Sequence, residues 1–215
     1  MEFRTSMPLQ NRVSPDGELF RSSARGTLMG NRGGLLHNAQ REIVRQYKSR
    51  SWITCQLEFK GRRREVMTPG LYTELFFLDE ATALAAGHRP CAECRRERFN
   101  AFKVAWKRWS VRDESKPLLV HEMDAELHRA RIGGRRGKIT YESSIDSLPD
   151  GCLIRLDGSG YLVLGQSLLL WSPEGYVKRI ERHRDGVVPV LTPPPIVECL
   201  RQGYVPGVHE SSLAC

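Results

Sequence analysis

The sequence predicts an α+β fold: a small antiparallel sheet with a zinc knuckle and helices, followed by a small β-rich module. Three observations carry this expectation. Short alternating apolar–polar runs, bounded by Gly, Pro, Asn and Asp, fill the N-terminal and C-terminal thirds. Helical periodicity is concentrated in the middle of the chain. A tight Pro90-Cys91-Ala92-Glu93-Cys94 turn stands where the first pattern gives way to the second.

The elements follow in order. Val13-Ser-Pro-Asp-Gly-Glu-Leu19 reads as two strand ends joined by a Pro-Asp-Gly turn. Gly26 to Gly34 is too glycine-rich for anything but loop or turn. Arg41 to Tyr47 fits a short helix or a strand. Trp52 to Phe59 alternates as a half-buried strand, Lys60-Gly61 turns it, and Arg62 to Met67 is expected to return as its hairpin partner. Tyr72 to Leu78 is a third strand, running into a short Ala-rich helix from Asp79 to Ala86. After Cys94 a helix is predicted over 95–109, with Phe99, Phe102, Trp106 and Trp109 on one apolar stripe. A second helix, 118–132, buries Val120, Met123, Leu127 and Ala130. Gly133-Gly-Arg-Arg-Gly137 marks the expected boundary between a module at 8–132 and one at 138–215.

Beyond that boundary the pattern is strand-like at 152–156, 161–164, 168–171, 176–180 and 187–191, with turns at Asp157-Gly-Ser-Gly160 and Ser172-Pro-Glu-Gly175. Thr192 is expected to cap a last helix that opens on prolines, where a missing N–H costs little, and stops at Gly203.

Composition narrows the function. A chain of 215 residues that is 40% hydrophobic and 27% charged is of ordinary globular composition, and no apolar run approaches the ~20 residues a membrane span requires. Met1 to Gln10 has no apolar signal core, so an intracellular, cytoplasmic protein is expected. The formal charge of +8 favours polyanionic partners, nucleic acid above membrane. Six cysteines in such a chain argue against a disulfide scaffold. The close pair Cys91 and Cys94 reads instead as metal-binding, and the expected ion is Zn2+. His37 and Cys55 are the upstream candidates to complete the shell. A set of His37, Cys91 and Cys94 with an open position would be a catalytic geometry. Pro-Cys-x-x-Cys also occurs in zinc nucleobase deaminases, but their His-x-Glu segment has no counterpart before Cys91.

The order of strand, Ala-rich helix, Gly87, His88 and Arg89-Pro90-Cys91-Ala92-Glu93-Cys94-Arg95 resembles the zinc-binding domain of the Ada family of DNA-repair proteins, over about residues 73–98. The resemblance implies a small sheet with helices, a zinc ion held by four ligands, and contact with DNA. Cys91 and Cys94 match the second ligand pair of that family. The first pair, Cys-x-x-x-Cys, is absent, and only Cys55 could supply the activated cysteine of the family's methyl-transfer chemistry.

A second constellation lies on the 118–132 helix. His121, Asp124, His128 and Arg131 share one face, an arrangement that can serve acid–base work, so His121, Asp124 and His128 join His37 as catalytic candidates. Basic residues cluster at 41–50, at Arg62, Arg63 and Arg64, and along the post-knuckle helix at Arg95, Arg96 and Arg98. The last two groups are the expected phosphate contacts, with DNA favoured over RNA. The function expected is that of a zinc protein contacting nucleic acid in repair, modification or cleavage, such as a nuclease. The competing expectation is a non-enzymatic zinc protein acting as a binding or regulatory module.

Overall fold

A computed structural model describes residues 7–61, 65–110, 117–134, 137–183 and 185–215. Arg62, Arg63, Arg64, Arg135 and Arg136 lie outside the described residues. The fold is α+β, built on two six-stranded sheets. The first holds β1 (Gln10–Val13), β2 (Leu19–Arg21), β3 (Leu28–Asn31), β4 (Ile53–Cys55), β5 (Leu75–Phe77) and β6 (Arg89–Pro90), in the order β2-β1-β5-β3-β4-β6. Helix α1 (Glu80–Ala85) leads from β5 to β6, and α2 (Arg96–Ser110) and α3 (Val120–Arg131) follow. The second sheet holds β7 (Tyr141–Ser144), β8 (Leu153–Leu156), β9 (Ser159–Leu164), β10 (Ser167–Ser172), β11 (Gly175–Glu181) and β12 (Val187–Val190), in the order β11-β10-β9-β8-β12-β7. Helix α4 (Pro194–Arg201) closes the set.

The first sheet is mixed rather than antiparallel. β1 runs parallel to β5, and β4 parallel to β6. Of the hairpin expected from Trp52 to Met67, the described residues form only a short β4 whose partners are β3 and β6, and 62–64 lie outside them. Beyond Cys55 the chain leaves the sheet and the alternation is lost: Gln56, Leu57, Glu58 and Phe59 all line one cavity. In β3, Gly30 is required by close approach, because a Cβ there would sit 2.6 Å from both the Ile53 carbonyl oxygen and the Phe77 ring. Arg41 to Tyr47 forms neither helix nor strand, only a single bridge between His37 and Ile43.

Helices α2 and α3 bury most of the stripes expected of them, with Trp109, Val120 and Ala130 only half-buried. Phe99, Phe102, Trp106, Met123 and Leu127 join one cluster with Ile154, Val163 and Val190 of the second sheet and with Ile196 of α4. The sheets therefore divide between 132 and 138, while the helices before that point pack on the sheet after it. The cap of α4 is Pro193, not Thr192. The Thr192 hydroxyl instead accepts from the Leu153 amide at 2.9 Å, tying the helix entry to β8.

Two adjacent acids at the start of α1 bind the halves together. Asp79 caps the helix, accepting from the Thr82 amide (2.8 Å) and hydroxyl (2.7 Å), and its other oxygen accepts from the Tyr176 hydroxyl (2.7 Å) and the His209 amide (3.0 Å). Glu80 receives Arg95 at 3.0 Å, Arg98 at 2.5 Å, the Tyr204 hydroxyl at 2.6 Å and the Gly207 amide at 2.9 Å. Burial would push the Glu80 carboxyl up, but Arg95 and these hydrogen bonds outweigh it and hold the group below its usual range. A buried bidentate pair, Arg89 with Asp124 (2.7 and 2.8 Å), fixes α3 against β6 in the same way.

A carboxylate held low in the folded state adds stability that is complete above its unfolded pKa of about 4.3 and is lost as pH falls through the folded value. Glu80→Gln should therefore cost about 3 kcal/mol at neutral pH, and its stability should fall less between pH 5 and pH 3 than that of the parent. Urea unfolding across that range checks both outcomes.

Candidate metal centre

The backbone brings three thiols to one point. The parallel ladder of β4 and β6 sets Ile53 beside Arg89 and Thr54 beside Pro90, so Cys55 and Cys91 follow in step. The Cys91 amide donates to the Thr54 carbonyl at 2.8 Å, and the Arg95 amide closes the knuckle on the Cys91 carbonyl at 3.2 Å. The Arg95 side chain, itself held by Glu80, donates to the Thr54 hydroxyl at 3.0 Å. The sulfurs of Cys55, Cys91 and Cys94 consequently lie within 4.8 Å of one another and can hold a metal ion. All three are half-buried free thiols.

Their protonation suits that role. The Cys91 thiol is pushed down to about 5, chiefly because Cys55 donates a hydrogen bond to it and the backbone amides of Cys94 and Glu93 add to this against the effect of burial. Cys55, as the donor to a neighbouring thiolate and partly buried, is raised. Cys94 is raised by burial and by the Cys91 charge, although the Gln56 amide hydrogen-bonds to its sulfur. Among the described residues the centre thus carries one thiolate and two thiols at neutral pH, ready to exchange two protons for a divalent ion.

All three cysteines line a cavity of about 580 Å³. Its floor is one face of the first sheet. Met29, Cys55 and Phe76 stand in register across β3, β4 and β5, and Ile53, two residues before Cys55, and Glu74, two before Phe76, line the same cavity. Tyr72 and Phe59 supply further aromatic wall. Glu74 is only 2% exposed. One of its oxygens accepts from the Met67 amide at 2.8 Å, and the other has no hydrogen-bond partner among the described residues. A buried carboxylate with a spare acceptor, lining the same cavity as the three thiols, was not singled out from the sequence. Glu74 precedes an ordinary apolar strand, and only the register of β5 against β3 reveals its face.

The remaining candidates lie elsewhere. His37 is not in the thiol group. Its ring nitrogens are engaged by the Thr73 hydroxyl (2.6 Å) and the Thr68 carbonyl (3.3 Å), so it ties the loop after β3 to the segment before β5. The helix-face constellation is not assembled as a site either. Asp124 is consumed by Arg89, His121 is exposed, and His128 packs edge-on against Tyr47 and Trp52. His128 is lowered by burial and by Arg131 and Arg50. Of the expected phosphate contacts, Arg95 and Arg98 are held by Glu80, leaving Arg96 exposed to solvent. The exposed cations of the 41–50 cluster are Arg45, Lys48 and Arg50, while Arg41 pairs with Glu65. No helix among the described residues is long and apolar enough to cross a membrane.

Comparison with protein-family models, curated proteins and solved structures finds no match.

Metal binding at this centre should release about two protons at pH 7 and should weaken as pH falls toward the Cys91 value. Calorimetric titration in buffers of different ionisation enthalpy counts the protons. Cys55→Ser, Cys91→Ser and Cys94→Ser should each lower affinity at least about tenfold, whereas His37→Gln should leave it unchanged.

Proposed function

We propose that this is an intracellular, cytoplasmic zinc protein acting on nucleic acid, DNA rather than RNA, with Cys55, Cys91 and Cys94 as the metal ligands. The observation that carries the reading is the placement of three sulfurs on the wall of a cavity. Three protein ligands with a position open to a cavity is the arrangement of reactive zinc sites, whereas structural sites close the shell with a fourth. The donor set is also right for zinc, which accepts thiolates in tetrahedral geometry more readily than hard cations do.

Bound zinc would supply Lewis acidity at one wall of the cavity. The chain's own residues do the rest. Met29, Phe76 and Phe59 give an apolar surface that can receive a flat group and exclude water. Glu74 offers its unpartnered oxygen to accept a hydrogen bond from that group or to hold a proton. The reaction class that fits is metal-assisted hydrolysis within DNA modification, repair or cleavage. The Ada-like stretch at 73–98 and the exposed cations Arg45, Lys48 and Arg50 support nucleic acid as the partner.

A second reading is a zinc centre that only stabilises a binding module. It is favoured by the way the three thiols join β4, β6 and the approach to α2. Incubating the zinc-loaded protein with single- and double-stranded oligonucleotides, followed by mass spectrometry, separates the two. The hydrolytic reading expects a zinc-dependent mass change that falls about 100-fold in Glu74→Gln, with binding retained. Unaltered oligonucleotides under all conditions would favour the stabilising role instead.

DNA affinity should decline steeply with salt as counterions are released. Neutralising Arg45, Lys48 and Arg50 together should reduce the slope of log K against log salt by about 3, as measured by fluorescence anisotropy. Affinity without salt dependence would contradict the nucleic-acid assignment.

A further inference from the structure

On another part of the molecule, a second cavity of about 620 Å³ is lined by Arg32, Arg131, Lys138 and Arg155, with Asp16 and Glu18 among the other walls. The four cations come from distant parts of the chain: the end of β3, the last turn of α3, the segment before β7, and β8. We propose that this cavity is a binding site for a phosphomonoester dianion.

Arg155 is paired with Asp16. Arg32 and Arg131 are each only 1% exposed, yet the hydrogen bonds of their guanidinium groups go to neutral acceptors. Arg32 donates to the His88 ring (3.2 Å) and the Gly17 carbonyl (2.9 Å). Arg131 donates to the carbonyls of Gly87 (2.6 Å) and Arg50 (2.5 Å), and its Nε has no partner among the described residues. The two guanidiniums cover the Trp52 ring at 4.1 and 3.9 Å. Lys138 donates to the carbonyls of Pro15 (3.0 Å) and Ala85 (2.5 Å), at the end of α1. Backbone carbonyls and an aromatic ring lower the burden of each cation but do not neutralise it. Arg32, Arg131 and Lys138 therefore face one cavity with Glu18, exposed at its rim, as the remaining carboxylate there.

The protein also bears a cost for this arrangement. Burial lowers Arg32 to about 9. Burial and then Arg32 lower Arg131 to about 9. Lys138 falls to about 7 through burial and the neighbouring arginines, against the pull of Asp16. Like charges gathered in this way repel one another, and an anion carrying two negative charges relieves that repulsion. The local backbone is shaped around the cluster. Gly87 adopts φ +84°, and a Cβ there would lie 2.4 Å from the Arg131 side chain. The volume exceeds what a bare phosphate fills, so the ligand is an organic phosphomonoester, either a free nucleotide-sized metabolite or the phosphorylated end of a strand. Arg45, Lys48 and Arg50 flank the cavity along the segment that contributes its Gln46 wall, which suits approach by a polyanion.

Thermal shift and calorimetry with inorganic phosphate, a nucleoside 5′-monophosphate, and an oligonucleotide with and without a 5′-phosphate test the assignment. One equivalent of inorganic phosphate or nucleotide should bind, raise the melting temperature and weaken with salt. Lys138→Gln should weaken binding about tenfold or more, Glu18→Gln should tighten it, and the exposed Lys178→Gln should change nothing. Glu18→Gln removes an exposed rim charge, so it reads the site even if Lys138→Gln fails to fold. A preference for the 5′-phosphorylated oligonucleotide assigns the site to strand ends, and indifference to that phosphate, with the nucleotide still bound, assigns it to free phosphomonoesters. No phosphate or nucleotide bound at low salt, or equal binding by all three variants and the parent, would overturn the proposal.

Discussion

The candidate centre depends on a two-residue parallel ladder. Strands β4 and β6 pair through Ile53–Arg89 and Thr54–Pro90, and that contact carries Cys55 to the knuckle of Cys91 and Cys94. So short a ladder is weak by itself. Arg95 reinforces it by bridging the Thr54 hydroxyl and the Glu80 carboxylate, and Glu80 also receives Arg98, Tyr204 and Gly207. The thiols are thus tied, through one arginine and one buried acid, to the C-terminal segment that packs under α1. Loss of that acid would be felt at the thiol cluster as well as in the core.

The same economy explains why net charge is a poor guide to this surface. The chain has 33 Lys and Arg, but many of its arginines work inside. Arg89 holds Asp124, Arg98 holds Glu80 and lies over the Tyr204 ring, and Arg182 gathers the carbonyls of Ile145, Asp146 and Leu148. Guanidinium groups suit such work because their planar fork meets carboxylates and carbonyls in fixed geometry. The basic surface is made instead by exposed cations, among them Arg45, Lys48, Arg50 and Arg96.

Much of the local structure was legible, because periodicity and punctuation are local. The stripes of α2 and α3, the Asp79 start of α1 and the hairpins of the second sheet all follow from near neighbours in sequence. Cys91 and Cys94 were legible for the same reason. Cys55 was readable only as one of two candidates, since its approach depends on strand pairing across more than thirty residues. His37 looked equally suitable until the Thr73 and Thr68 oxygens took both ring nitrogens. The stripe of His121, Asp124 and His128 misled because spacing gives a shared face and not what that face meets; Arg89 met it first. Glu74 was invisible, as a strand's two faces are assigned only when its register is known. The parallel strands of the first sheet were missed on the same ground.

The centre, its cavity and the buried cations beyond it form an account whose first premise is a three-sulfur shell. X-ray absorption at the zinc edge of the metal-loaded protein tests that premise most directly. Three sulfur scatterers at about 2.3 Å and one lighter oxygen or nitrogen scatterer are expected. A shell of four sulfurs, or of fewer than three, would contradict it.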